Sequence, residues 1–208
     1  MIEIKNLNIN YEKDFFIVFE TNLSFSAPTL LLGDESFSSA VFRSTIGIDK
    51  PKSGEIFIDG KNVKIIKSKD FPISYLPKQP VTFENKTAKE NIEYSLKVRK
   101  FSKEKIKNEL NSLETSFNLK FLSEKVKSLT NSKKIITAFL RAIIRKPKYI
   151  LVENFFSSID QNDLDLAKEI FNYALNSSII IASEKDENFV KFYKDFNIVE
   201  VENGSVKT

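Results

Sequence analysis

Three short runs of apolar, β-favouring residues are each followed by a helical pattern, and this alternation constrains the fold more than any other feature. The runs are Thr29–Gly33, Lys148–Val152 and Ser178–Ala182. Strands that alternate with helices predict a parallel sheet, because each helix carries the chain back across the sheet. Their continuous apolar character predicts burial on both faces. We therefore predict an α/β fold whose mostly parallel central sheet contains these three strands.

Two further stretches add to this core. The first 30 residues are strand-like, with period-2 alternation in Phe15–Glu20 and Asn22–Phe25, and we predict an N-terminal antiparallel β part there. Residues 80–128 are polar and lysine-rich, and Ala88–Arg99 and Lys103–Phe117 each carry the single apolar stripe of a surface helix. We predict three divisions: 1–79 for the β part and the first half of the core, 80–128 for an inserted helical subdomain, and 129–208 for the second half with a C-terminal hairpin.

Composition excludes several classes of function. The 208 residues include no Cys and no His, which excludes disulfide frameworks, thiol catalysis, serine-protease triads and Cys- or His-ligated metals. The formal net charge is only +4, from 32 basic and 28 acidic residues that are interspersed. We therefore expect no nucleic-acid partner and interpret the lysines of residues 97–127 as a solvated face. The N-terminus lacks the pattern of a signal peptide, so we expect a cytoplasmic protein.

The segment after the first central strand stands where a phosphate-binding loop would lie. Such a loop needs glycines that let backbone amides close on phosphate oxygens, a Lys for the β- and γ-phosphates, and a Ser or Thr hydroxyl for magnesium. Here the loop reads Gly33-Asp-Glu-Ser-Phe-Ser-Ser-Ala40, and only its first glycine is present. No Lys occurs between Gly33 and Lys50.

Six segments, in this order, resemble the ATP-binding subunits of ABC transporters over essentially the whole chain. They are MIEIKNLNINY, KPKSGEIFIDGK, ISYLPKQPVTFENKTAKENIEY, SLTNSKKIITAFLRAIIRKPKYILVENFFSSID, IIIASEKDE and NIVEVENGSV. The resemblance implies a P-loop NTPase-like ABC ATPase fold with an inserted helical subdomain. It also implies ATP and magnesium as cofactors, an ABC-type partner subunit in a homo- or heterodimer, and membrane-embedded permease subunits. A peripheral position on the inner face of the cell membrane follows from those partners.

The resemblance carries the nucleotide contacts of the family onto six positions. Tyr11 falls where an aromatic side chain stacks on adenine. The loop is one residue short of the family pattern, so the phosphate-binding Lys aligns with Ser39 from the strand side and with Ser38 from the helix side. In the second alignment Ser39 supplies the magnesium hydroxyl. The implied cofactor-binding residues are Tyr11, Gly33, Ser38, Ser39, Lys78 and Gln79, the last two at and beside the Q-loop glutamine.

Departures from the family pattern fall on the residues that carry chemistry. Glu153 replaces the metal-orienting Asp, so Ser39 and Glu153 are the implied metal ligands. Asn154 replaces the catalytic Glu, and an amide cannot take a proton from water. Glu184 replaces the switch His and would add a negative charge near the γ-phosphate. The signature loop, Leu129–Lys133, lacks the glycines of the family pattern. We predict no catalytic residue, with Asn154 and Glu184 as degenerate positions.

The two carboxylates of the loop oppose a triphosphate. Two like charges about 4 Å apart repel by about 4 kcal/mol at an effective dielectric constant near 20. We expect Asp34 and Glu35 to repel phosphate and Phe37 to fill part of its space, with Arg43 as the nearest cation in sequence. A magnesium ion held by Asp34, Glu35 and Glu153 would reverse that expectation.

Structural roles compete with these functional ones. Tyr11 also fits a packing aromatic, Glu153 and Asn154 fit the cap of a buried strand, and Asp160 fits the N-cap of a helix that begins at Gln161. We predict a degenerate ABC transporter ATP-binding-type subunit, a non-catalytic or regulatory partner of an intact ATPase, of membrane subunits, or of both. The alternative is a divergent ABC ATPase that still binds and hydrolyses ATP to drive transport. A soluble, non-transport member of the family also stays open.

Overall fold

The computed structural model describes residues 1–12, 15–67 and 70–207, without the side chains of residues 11, 12, 15 and 16. The side chain of Tyr11, the implied adenine contact, therefore lies outside the described residues. The backbone of Tyr11 belongs to the first strand of the N-terminal sheet.

Six strands form the central sheet of the described chain, in the order β10-β9-β3-β8-β7-β6. All of its pairs are parallel except the terminal hairpin β9-β10. The strands are β3 (Thr29–Gly33), β6 (Ile73–Leu76), β7 (Tyr149–Glu153), β8 (Ile179–Glu184), β9 (Asn197–Glu202) and β10 (Ser205–Val206). This confirms the predicted mostly parallel sheet, with all three apolar strands at its centre.

A second sheet of the described chain has the order β2-β1-β4-β5, and every pair in it is antiparallel. Its strands are β1 (Ile2–Glu12), β2 (Phe15–Phe25), β4 (Ser53–Ile58) and β5 (Lys61–Asn62). Both β1 and β2 have 11 residues, so the short runs read from the sequence are parts of two long strands. The predicted N-terminal antiparallel part is confirmed.

Helices connect the central strands, and two of them lie between residues 80 and 128. In the described chain they are α1 (Glu35–Thr45), α2 (Ala88–Val98), α3 (Lys103–Phe117), α4 (Asn131–Ile143) and α5 (Leu164–Leu175). The side chains of Thr87, Ser102 and Thr130 accept amide hydrogen bonds at the starts of α2, α3 and α4, which explains where these helices begin. Both Gln161–Asp163 and Glu187–Phe192 are 3₁₀-helical rather than α-helical.

The central sheet separates two hydrophobic cores. Consecutive strand residues face opposite sides, so Leu30 and Ile150 pack with the core of α2–α5, whereas Leu31 and Leu151 pack with α1 and the N-terminal sheet. The helical segment thus shares its core with the second half of the chain. None of the helices in the described ranges has the length and apolar character that crossing a membrane requires.

Candidate functional site

The connection from β3 to α1 is a tight turn rather than an open loop. Asp34 alone separates the end of β3 from the start of α1. Gly33 has a φ of +117°, and a Cβ added there would lie 2.3 Å from the carbonyl oxygen of Val201. The amide of Asp34 donates to that same oxygen at 3.1 Å. The close approach of β9 therefore requires a glycine at position 33, independently of any ligand.

The amides that begin α1 are already hydrogen-bonded within the chain. Oδ1 of Asp34 accepts from the amides of Ser36 at 2.8 Å and Phe37 at 3.2 Å. These are the donors that a helix N-terminus would otherwise offer to a phosphate. The Ser38 hydroxyl donates back to the Asp34 carbonyl at 3.1 Å, and the residue is buried. Phe37 is fully buried in the core under α1, so it does not fill the space of a phosphate.

A cation does offset the loop's charge, and it comes from another part of the chain. Nζ of Lys78 donates to Oε1 of Glu35 at 2.7 Å, and Nδ2 of Asn154 donates to the same oxygen. The hydrogen bond from Lys78 is the main cause that lowers the pKa of Glu35. Arg43, the nearest cation in sequence, instead binds Asp49 with both Nε and Nη2. The cation that offsets Glu35 is thus neither in the loop nor the nearest one in sequence.

Glu153 and Asn154 fasten the end of β7 to its neighbours. Glu153 accepts from the Tyr75 hydroxyl at 2.7 Å and from the Lys78 amide at 3.0 Å. The pKa of Tyr75 is raised, mainly because its side chain is buried and secondly because its hydroxyl donates a hydrogen bond to Glu153. The amide of Asn154 donates to the carbonyl of Ser183 at 2.7 Å, while its buried Oδ1 has no hydrogen-bond partner within the described chain. These contacts fit the strand-capping role.

An open cleft of about 470 Å³ gathers most of the predicted site residues. Ser39, Lys78, Gln79, Glu153 and Asn154 all line it, and Glu35 and Tyr75 contribute as well. Among the described residues no three acidic side chains form a preformed metal-binding group, and this includes Asp34, Glu35 and Glu153. Ser39 and Glu153, the two metal ligands that the resemblance implies, both line this cleft.

Glu184 does not belong to this cleft. It is only 1% exposed and accepts from the Phe156 amide at 3.0 Å, the Ser157 hydroxyl at 2.6 Å and the Tyr193 hydroxyl at 2.9 Å. Burial raises the pKa of Glu184. Its neighbour Ser183 lines the cleft instead, because successive strand residues face opposite sides. The sequence predicts that Glu184 adds a negative charge near the γ-phosphate. In the structure Glu184 is instead a buried hydrogen-bond acceptor on the other side of the sheet.

Asp160 also differs from its predicted role. It makes no side-chain cap bond to the 3₁₀ turn at Gln161. Its Oδ2 accepts from the Ser132 hydroxyl at 2.8 Å, and the same hydroxyl accepts from the Asp160 amide at 2.7 Å. Ser132 lies in the first turn of α4 and is fully buried. Sequence reasoning missed Ser132 and Tyr75, because their partners lie far away along the chain.

The fold and sequence are similar to those of ATP-binding proteins. The family model described as "ABC transporter" matches residues 36–156. The sn-glycerol-3-phosphate import ATP-binding protein UgpC of Bartonella bacilliformis is 27% identical over 163 residues, which cover 76% of this chain and 47% of that protein. The molybdate/tungstate import ATP-binding protein WtpC of Methanocaldococcus jannaschii is 28% identical over 165 residues, covering 77% and 54%. The chain thus spans about half the length of these curated relatives.

Solved structures give the same architecture. A dimeric ATP-binding cassette in a post-hydrolysis state, bound to ADP and Pi, superposes with a TM-score of 0.83 at 19% identity. The superposition covers 100% of this chain and 97% of that one. Since the family model spans more than half of the sequence, the chain belongs to the ABC transporter family and has the fold of its nucleotide-binding domain.

Proposed function

We propose that this chain is a non-catalytic, ATP-binding-type subunit of an ABC import system. One observation carries the proposal: the groups that would bind phosphate are already bound by the chain's own carboxylates. Asp34 occupies the first amides of α1, and Glu35 occupies Lys78 and Asn154. A triphosphate entering the cleft has to displace both carboxylates or lie beside them.

Electrostatics decide against simple displacement. A helix N-terminus favours an anion by about 0.3–1 kcal/mol. Repulsion between a carboxylate and a phosphate about 4 Å apart is about 4 kcal/mol at an effective dielectric constant near 20. Lys78 compensates part of that repulsion, but only while it remains bound to Glu35. We therefore expect nucleotide to bind weakly or not at all. ATP and magnesium are the cofactors that the family implies.

Catalysis would also lack its proton acceptor. Asn154 stands where the family carries a carboxylate, and its amide cannot accept a proton from an attacking water. The other two departures do not compensate for this loss. A serine, Ser38 or Ser39 depending on the alignment, stands in place of the Lys, and Glu184 lies on the other side of the sheet. Each lost preorganised group typically costs about 10²–10³ in rate, so we expect turnover at background.

The proposed partners are membrane permease subunits and a second ABC-type subunit, homologous or identical. An exposed apolar groove of about 370 Å³ lies between the segment after β6 and helices α2 and α4. Val81 there is 78% exposed, and the rings of Phe83 and Tyr94 contact each other in a tilted arrangement with centroids 4.6 Å apart. The resemblance places the docking of permease helices in this region. The names of the relatives, both import ATP-binding proteins, support a role in import, and the resemblance implies a peripheral position on the inner face of the cell membrane.

Equilibrium titration with ATP and with Mg-ATP, together with an ATPase assay, tests the proposal. We expect no saturable binding in the micromolar range and no turnover above background. In the double variant Asp34→Asn/Glu35→Gln, we expect weak anion binding to appear, because both competing charges are removed. Lys61→Glu, an exposed change outside the cleft, is the control for preparation effects.

Micromolar affinity for Mg-ATP that Asp34→Ala or Glu35→Ala weakens would overturn the proposal. Turnover near 1 s⁻¹ that a change at Glu153 abolishes would also overturn it. Either result would establish the alternative, a divergent ATPase in which these carboxylates assist magnesium rather than repel phosphate.

A further inference from the structure

A second cavity, of about 980 Å³, lies between α1 and the N-terminal sheet, away from the groups that would hold nucleotide. Its floor is buried and apolar, with Ile56 of β4 and Ile73 of β6. Half-buried apolar side chains form the walls; they are Ile46, Val63, Ile66 and Phe71. A volume of this size with predominantly apolar walls is typical of a small-molecule site.

The cavity has few polar groups: one lies at its buried end and the others lie at its exposed rim. Ser44 is 1% exposed and lines the cavity, and its Oγ has no hydrogen-bond partner within the described chain. Lys50 and Lys64 are exposed lining residues, and neither forms an ion pair with any described residue. The carboxylate that lines the cavity, Asp49, is bound by Arg43 at 2.7 and 2.8 Å. The exposed rim therefore carries two ammonium groups available to an anion.

We propose that this cavity binds a monocarboxylate with a medium-length hydrocarbon chain. Isoleucine, valine and phenylalanine side chains bury the hydrocarbon, because removing apolar area from water favours binding. The ammonium groups of Lys50 and Lys64 pair with the carboxylate at the exposed rim. Charge complementarity selects an anion over an alcohol or an ammonium of the same length. This inference does not depend on whether the nucleotide cleft is active.

Tyr75 connects this cavity to the nucleotide cleft. Its side chain lines both spaces, and its hydroxyl donates to Glu153 at 2.7 Å. The amide of Lys78 shares the Glu153 carboxylate. A ligand that packs against the ring of Tyr75 therefore lies one residue away from the contact between Glu153 and Lys78.

The test uses three probes with the same chain length: decanoate, decanol and decyltrimethylammonium. Binding to the full chain is measured by titration calorimetry at low ionic strength, below the critical micelle concentration. We expect saturable one-site binding of decanoate, weaker binding of decanol and the weakest binding of the cation. In the variant Lys50→Glu/Lys64→Glu, decanoate affinity should fall by about tenfold or more, since two attractive rim contacts become repulsive.

Two variants separate a site in this cavity from unspecific association. Lys61→Glu makes the same change on β5, at an exposed lysine that does not line the cavity, and should leave decanoate affinity unchanged. Val63→Trp fills the half-buried wall and should abolish binding of both decanoate and decanol while the thermal unfolding midpoint is retained. Equal affinity for all three probes, equal losses in the two lysine variants, or no saturable binding would each overturn the proposal.

Discussion

Glu184 and Glu35 lie on opposite sides of the central sheet, and the difference between their surroundings separates the fold from the site. Glu184 is 1% exposed and its described hydrogen-bond donors are an amide and two hydroxyls. Glu35 has a side chain that is 33% exposed and binds a lysine whose side chain is 52% exposed. The Glu184 carboxylate is removed from water and accepts hydrogen bonds from uncharged groups. The Glu35 carboxylate stays partly exposed to water beside the ammonium group of Lys78.

This contrast teaches that residue type alone does not assign a role. Both positions are glutamates that fall at functional positions of the ABC pattern. Burial without a counter-charge makes Glu184 a structural acceptor, because losing it leaves several donors unsatisfied. A partly exposed ion pair at the surface makes Glu35 replaceable at small cost to the stability of the fold.

The largest effect should come from removing the interior acceptor. Glu184→Ala leaves the Phe156 amide and the Tyr193 hydroxyl buried without a partner, so the free energy of unfolding should fall by about 2–4 kcal/mol. Urea unfolding measures this fall in the free energy of unfolding. Glu187→Ala, an exposed change three residues further along the chain, should have almost no effect. Stability of Glu184→Ala equal to that of the original chain would mean that the contrast between the two glutamates is wrong.

The two carboxylates should also give opposite pH dependences. The pKa of Glu184 is raised above 4.5 by burial, so its contribution to stability is present at low pH and is lost as pH rises through the folded pKa. The pKa of Glu35 is lowered below 4.5, chiefly by the hydrogen bond from Lys78, so its contribution is present above 4.5 and is lost as pH falls through the folded pKa.

Unfolding curves at about pH 4 and about pH 7 would sharpen this comparison. Relative to the original chain, Glu184→Gln should be more stable at the higher pH than at the lower one, because it no longer ionises. Glu35→Gln should show the opposite change, and a smaller one, because solvent screens its ion pair. If both variants shifted in the same direction, the assignment of one interior and one surface carboxylate would fail.

The smallest effect belongs to the ion pair itself. A double-mutant cycle of Glu35→Gln and Lys78→Met should give a coupling energy of about 0.2–1 kcal/mol, since both side chains are partly exposed. Thermal or urea unfolding of the four proteins measures this energy. A coupling energy above about 2 kcal/mol would mean that the Glu35–Lys78 pair behaves like a buried ion pair. A ligand could then displace Glu35 only at a large cost in free energy.

How far sequence reasoning reaches depends on the range of the interactions. The three central strands and helix α3 were predictable, because apolar periodicity and caps are local signals. The side of the sheet that Glu184 faces was not predictable. It depends on the alternation of side chains along β8 and on a contact with Phe156, 28 residues away. The partner of Glu35 is 43 residues away. Lys78 had been assigned to the cleft by resemblance, but nothing local indicated that it would bind the chain's own carboxylate.

The reciprocal contact between Ser132 and Asp160 has a mechanical consequence. Two hydrogen bonds, at 2.8 and 2.7 Å, join the first turn of α4 to the segment that follows β7. The first of these segments overlaps the signature loop of the resemblance, Leu129–Lys133. Because two hydrogen bonds couple the two segments, we expect a displacement of the signature loop to shift the segment after β7 as well.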